Sequence, residues 1–174
     1  MRQTIGRSVL VAVLAAGLVP AGVASASASS AAAVRKPAFG PLGYGNLKLG
    51  MTAAKARATG RIVRKPDGDS ARCTTYDLKE SRYNEYRVGM YISKKLGVAV
   101  IVAPAGARTP KGIGIGSTSA QLKAAYPNLR RGPGGYPAAT VPGNRKAYYL
   151  FNERKGEVVE MSLVMAKQDC LRVD

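Results

Sequence analysis

Apolar and polar residues alternate along several short stretches of the chain. Val88, Met90 and Ile92 carry one such pattern, Val98, Val100 and Val102 the next, and Val159, Met161, Leu163 and Met165 the last. Each is the signature of a strand with one apolar face. Turn residues bound these stretches, so the spacing predicts strands over Arg61–Arg64, Arg72–Leu78, Arg87–Ser93 and Val98–Ala103, with turns at Pro66-Asp67-Gly68-Asp69 and Lys94-Lys95-Leu96-Gly97. A second group is predicted over Tyr136–Val141, Arg145–Asn152 and Val158–Met165, joined through Pro142-Gly143-Asn144 and Glu153 to Gly156. Ahead of each group lies a segment with helical spacing: Ala53 to Thr59, stopped by Gly60, and Ser119 to Tyr126, stopped by Pro127. Two turns of helix do not persist alone in water, so each should lie on the sheet, the second through Leu122, Ala125 and Tyr126.

The two helical segments match when the chain is slid by 66 positions: Leu47, Leu49, Gly50, Thr52, Ala54 and Ala58 fall on Ile113, Ile115, Gly116, Thr118, Ala120 and Ala124. What repeats is a short extended segment, a glycine for the turn, and a threonine able to cap the helix by accepting from its free N–H groups. Thr118-x-x-Gln121 completes a capping box. The run Gly112-Ile113-Gly114-Ile115-Gly116 invites comparison with a phosphate loop. Yet Gly112 and Gly114 stand opposite Asn46 and Lys48, and the third glycine of a dinucleotide fingerprint and the Gly-Lys of a P-loop are both missing. Gly50, Thr52, Gly116 and Thr118 are therefore read as helix caps, with a weak anion site as the chemical alternative. The expected fold class is α+β: two tandem helix plus antiparallel-meander units, about residues 44–104 and 110–170, forming one curved sheet with short helices on one side.

The phrase "LKLGMTAAKARATG" and its echo "IGIGSTSAQLKAAYP" resemble the Gly-Met-Thr helix start of the β-lactamase-inhibitory-protein-like fold, in which two tandem helix-plus-sheet units join into one curved sheet. Small secreted actinobacterial proteins of unassigned function are similar. The likeness runs in outline from Gly43 to Cys170, and its specific part is the dozen-residue repeat. It implies a binding role in which the concave sheet face meets a protein partner through aromatic side chains. This chain departs from that pattern in having no tryptophan, one cysteine per unit and more positive charge. The resemblance therefore does not carry over β-lactamase as the partner.

The N-terminus says where the protein works. Arg2 and Arg7 precede an apolar run from Ser8 to Val23, and Ala24-Ser25-Ala26-Ser27-Ala28 supplies the small residues a signal peptidase needs. Residues 1–28 are read as a signal peptide, 29–42 as a flexible segment and 43–174 as a single domain. Gly17, Pro20 and Gly22 break the apolar run and no basic stop follows it, so no stable membrane insertion is expected. The expectation is a secreted, extracellular monomer.

Charge sharpens this picture. The chain holds 27 Lys and Arg against 10 Asp and Glu, a formal +17, and removing residues 1–28 takes away two arginines and no acid, which leaves +15. Such an excess attracts wall polymers, nucleic acid, acidic lipid heads or acidic proteins. Export, and the lack of any nucleic-acid motif, turn the expectation away from nucleic acid. Basic pairs such as Arg64-Lys65, Lys94-Lys95, Arg130-Arg131 and Arg145-Lys146 fall mostly at turns, either as solvated charges that guard sheet edges or as one continuous basic face. Cys73 and Cys170 are the two cysteines, and in an oxidising compartment they are expected to form a disulfide.

The chemistry on offer is thin. There is no histidine, which removes the usual triads, most zinc sites and the commonest general base, so no metal, cofactor or enzymatic activity is expected. Asp67, Asp69, Glu157 and Glu160 are the close carboxylates a glycosidase pair would need, though turn and strand-rim roles account for them. Arg82, Tyr83, Tyr86, Arg87 and Tyr91 make a Tyr/Arg patch of the kind favoured in protein interfaces, the alternative being ordinary half-buried tyrosines. The expected function is a secreted non-enzymatic binding protein acting on an unknown extracellular protein, inhibitor-like or adaptor. A cationic binder of anionic cell-wall polymers is the first alternative and a carboxylate-dependent hydrolase the last.

Overall fold

One eight-stranded antiparallel sheet carries two short helices in the computed structural model, which describes residues 38–171. The chain forms a two-stranded hairpin, β1 (Gly43–Tyr44) and β2 (Leu47–Lys48), then helix α1 (Ala53–Ala58) and strands β3 (Ile62–Arg64), β4 (Cys73–Leu78), β5 (Met90–Ser93) and β6 (Gly97–Val102). Helix α2 (Ser119–Ala125) follows, then β7 (Arg130–Arg131), β8 (Pro137–Val141), β9 (Asn144–Arg154) and β10 (Glu157–Met165). The strand order is β3-β4-β5-β6-β10-β9-β8-β7. Two meanders thus lie side by side, and β6 on β10 is the pairing between them, with Val102 opposite Ser162 and Val100 opposite Val164. The architecture is α+β, as expected. The expected signal segment lies outside the described residues, among which no helix is long and apolar enough to cross a membrane.

Each helix is pinned to the last strand of its meander in the same way. The Gly50 N–H donates to the Val98 carbonyl, and the Val98 N–H donates to the Met51 carbonyl, both at 2.8 Å. At the second helix, Gly116 N–H donates to the Val158 carbonyl at 2.8 Å and Val158 N–H to the Ser117 carbonyl at 2.9 Å. Both glycines have positive φ, 77° and 84°, a conformation that costs glycine little and other residues more. Thr52 and Thr118 then cap: their hydroxyls accept from the N–H groups of Lys55 and Gln121 at 3.3 and 3.2 Å. Gln121 returns the favour to the Thr118 N–H at 2.9 Å, the full capping box. Gly97, at the start of β6, has no room for a side chain, since a Cβ there would fall 2.5 Å from the Met51 carbonyl oxygen.

Both helices face the same side of the sheet. Ala56 of α1 and Leu122 of α2 belong to one buried cluster with Tyr76, Ile92, Ile101, Tyr149, Phe151 and Leu163. Phe39, fully buried, joins it, and Tyr149 donates its hydroxyl to the Phe39 carbonyl at 3.1 Å. The packed core therefore begins ahead of the expected start at Gly43. A smaller cluster of Ala99, Val100, Ala138, Tyr148 and Val164 lies apart from it, with Cys170 and Leu171 packed on it.

Two expected alternations break at bulges. In β6 the register shifts so that Tyr91 opposes Val100 while Ile92 opposes Val98. Ala99 is the extra residue. Val98 and Ile101 consequently enter the main core and Val100 the smaller cluster. In β10 the shift lies between Val158 and Glu160, so Val159 turns outward at 39% exposure while Val158, Met161 and Leu163 share the main core. One inserted residue flips the faces of all that precede it, which is why neither strand keeps a single apolar side. The short edge strand β7 and the β1–β2 hairpin carry too few residues to show a period.

The expected disulfide is formed. Cys73 at the start of β4 bonds Cys170, 97 residues on, so the segment after β10 returns past β6 and β5 to reach β4. Closing a loop of that length stabilises the fold by about 4–5 kcal/mol in chain-entropy terms. Cys73→Ser should lower the melting temperature by about 10 °C. An unchanged midpoint by calorimetry, or two free thiols in the native protein, would contradict this.

Candidate functional site

The loop from Lys79 to Gly89 carries most of the Tyr/Arg patch, and a buried ion pair anchors it. Strand β4 turns Asp77 away from the helices, where its carboxylate meets the Lys65 ammonium at 3.2 Å; both side chains are about one-tenth exposed. The same carboxylate accepts from the backbone N–H groups of Tyr83 at 3.1 Å and Gly89 at 2.9 Å. Lys65 in turn donates to the Tyr83 carbonyl at 3.0 Å and to that of Asn84. Two opposite charges thus satisfy each other and four backbone groups of one loop, the condition under which a buried pair persists.

The patch itself is largely spent within the molecule. The Arg87 guanidinium lies 4.6 Å from the centre of the Tyr83 ring and pairs with Glu160 of β10. Burial raises the Tyr83 phenol above its ordinary pKa, and burial followed by the Glu160 charge does the same to Tyr91. Tyr91 packs on the smaller cluster. Of the five residues, Arg82 is exposed and Tyr86 stands out at 84% exposure. Tyr86 is thus the free aromatic of the patch.

Basic residues, in contrast, gather in clefts. The largest concentration lines a cleft of about 370 Å³ between α1, β3, β4 and the β5–β6 turn, where Arg57, Arg64, Lys94 and Lys95 surround Tyr76 and Thr74. Arg57 donates to the Tyr76 hydroxyl at 3.4 Å, and the Arg64 guanidinium sits 5.3 Å from the centre of the same ring. Arg64 also pairs with Asp69, donating at 2.9 Å. Its hydrogen bonds, helped by the backbone N–H and hydroxyl of Thr75, hold the Asp69 carboxyl down to about 2, so the pair stays ionised at any ordinary pH. Lys94 donates to the Ala71 carbonyl at 2.9 Å. Gly50 and Thr52 form part of this wall, with the Thr52 hydroxyl already engaged as a cap.

Three further clefts follow the same rule. One has an apolar floor of Leu42, Leu49, Leu96 and Met165 under Arg145, Lys146 and Lys167. Another is rimmed by Arg130 and Arg131 beside Tyr148, and a fourth by Lys111 beside Tyr126. None of the four is walled by an Asp or Glu among the described residues. The carboxylates that a hydrolase would need lie elsewhere: Asp67 in a turn, Asp69 on Arg64, Glu160 on Arg87 and Glu157 in the open. Asp169 approaches both sulfurs of the disulfide, which carry no thiolate charge with which to hold a metal. Gly116 and Thr118 line none of these clefts, and their polar groups are occupied by the helix start.

Compared with protein-family models, characterised proteins and solved structures, the chain matches none.

Arg57, Tyr76 and Thr74 carried no signal in the sequence; the pairs Arg64-Lys65 and Lys94-Lys95 did. In the pair Arg64-Lys65, strand alternation sends the two side chains to opposite faces: Arg64 to the cleft and Lys65 to Asp77. Asp77→Asn should destabilise the fold by roughly 3–5 kcal/mol, because it strands the Lys65 charge in a buried site. Denaturant titration measures this, and a loss under about 1 kcal/mol would mean that the pair does not anchor the loop.

Proposed function

We propose that this chain is a secreted, non-enzymatic binding protein whose targets are anionic polymers of the cell envelope. The observation that carries the reading is the partition of charge: basic side chains wall the four clefts and, among the described residues, no carboxylate does, while four of the described carboxylates are committed to ion pairs with Arg61, Arg64, Lys65 and Arg87. Positive clefts with low-dielectric walls concentrate anions well beyond what scattered surface charge does. The Cys73–Cys170 bond suits the oxidising exterior that export implies.

The same reading takes the domain as a doubled helix-and-meander module, of the kind the β-lactamase-inhibitory-protein-like resemblance implies. What supports doubling is agreement in detail: the Gly50 and Gly116 hydrogen bonds to Val98 and Val158, and a bulge one residue beyond each, at Ala99 and Val159. The first helix start borders one of the four clefts and the second borders none, which favours an architectural role for the glycine and threonine of each.

A protein partner is the second reading, favoured by Tyr86, whose ring is 84% exposed on a loop that also exposes Arg82. Salt separates the two. The screening length falls from about 10 Å at 0.1 M salt to about 3 Å at 1 M, so retention of the mature protein on wall extract should be strong at the lower and lost at the higher concentration. Retention that survives 1 M salt and falls with Tyr86→Ala would contradict polyanion binding and favour the protein partner.

A further inference from the structure

We infer that the cleft between α1, β3, β4 and the β5–β6 turn is a binding site for phosphate groups, the point at which this protein holds a phosphate-bearing polymer. The inference rests on the polyanion reading and gives it an address and a chemistry.

Four cations reach this cleft from three separate elements: Arg57 from α1, Arg64 from the end of β3, and Lys94 and Lys95 from the β5–β6 turn. Of these, Arg64 alone has a carboxylate partner among the described residues. Asp69 offsets the charge of Arg64, whereas the repulsion among Arg57, Lys94 and Lys95 has no carboxylate to offset it among the described residues. Hydrogen bonding holds several of these side chains in position. Tyr76 lies at the junction of Arg57, which donates to its hydroxyl, and Arg64, which covers its ring. Lys94 is tied to the Ala71 carbonyl, and Ser93 accepts from the N–H groups of Lys95 and Leu96, which shapes the turn. The site is thus assembled before any ligand arrives.

The donor set selects the ligand class. Arginine forks offer paired N–H groups and lysines offer point charges, here arriving from different sides of one space. A carboxylate presents two oxygens in a single plane. A phosphate presents oxygens in several directions and, in a chain of phosphates, more than one charge, which suits cations on separate walls. The volume of about 370 Å³ leaves room for more than one such group. α1 has only six residues, so its dipole is not part of the argument.

The probe is inorganic tripolyphosphate, titrated calorimetrically against the mature protein at fixed ionic strength. The double variant Arg57→Gln, Lys95→Gln should weaken binding about ten-fold or more, as expected for losing two charge-assisted hydrogen bonds. Lys123→Gln, Lys155→Gln removes the same charge at exposed positions that line none of the four clefts and should leave the affinity within about two-fold, with melting temperatures reporting that both variants fold. Equal losses in the two double variants would overturn the site while leaving general polyanion attraction standing. Absence of binding by the unmodified protein would overturn the site and the polyanion reading together. Poly-glutamate binding as tightly as tripolyphosphate would overturn the phosphate assignment.

Discussion

The pairing of β6 with β10 is the constraint on which the rest of the structure depends. These two strands give one sheet its continuity, since each meander otherwise pairs only with itself. The seam is short, three paired rows with the Ala103 N–H reaching the Met161 carbonyl beyond them, and it is reinforced from outside. Cys170 carries the chain back from β10 to β4, and Arg87 reaches from the β4–β5 loop to Glu160. Both reinforcements cross the same boundary. A net charge of +17 works against compactness through self-repulsion.

Charge and architecture divide the work between a few residues. Lys65 and Arg64 are neighbours, yet one is neutralised inside by Asp77 and the other faces a cleft beside Asp69. The acids are thus used to fasten loops: Asp77 the Lys79–Gly89 loop, Asp69 the turn after β3, Glu160 the far end of the Tyr/Arg patch. Most of the remaining cations have nothing to fasten. Charge is thus neutralised where loops are fastened, and of the four cations at the cleft beside α1 only Arg64 has a carboxylate partner among the described residues.

Much of the fold was legible in the chain because its signals are local. A glycine of positive φ followed two residues later by a capping threonine is read in five residues, and a count of two cysteines leaves one pairing. The bulges at Ala99 and Val159 were not legible. Val98, Val100 and Val102 alternate just as an unbroken strand would, and the register is decided by the pairing across the turn with β5, as that of β10 is by β9, which the pattern of one strand alone does not carry. The candidate site was hidden for a similar reason. Arg57 sits on a helix, Arg64 on a strand and Lys95 in a turn, and only the folded sheet draws them around Tyr76. The Tyr/Arg patch was visible as a cluster, but its ion pair with Glu160 spans 73 residues, so its internal use was not.

The melting temperature of the mature protein in tripolyphosphate, compared with sodium chloride at equal ionic strength, tests the central claim most directly. A ligand that binds the folded state alone raises stability by about 2.7 kcal/mol at a hundredfold excess over its dissociation constant, whereas screening acts on all the charges alike. A clearly higher midpoint in tripolyphosphate is the predicted result. Identical midpoints in the two salts would mean that the clefts hold no anion, and that the positive charge serves no binding site.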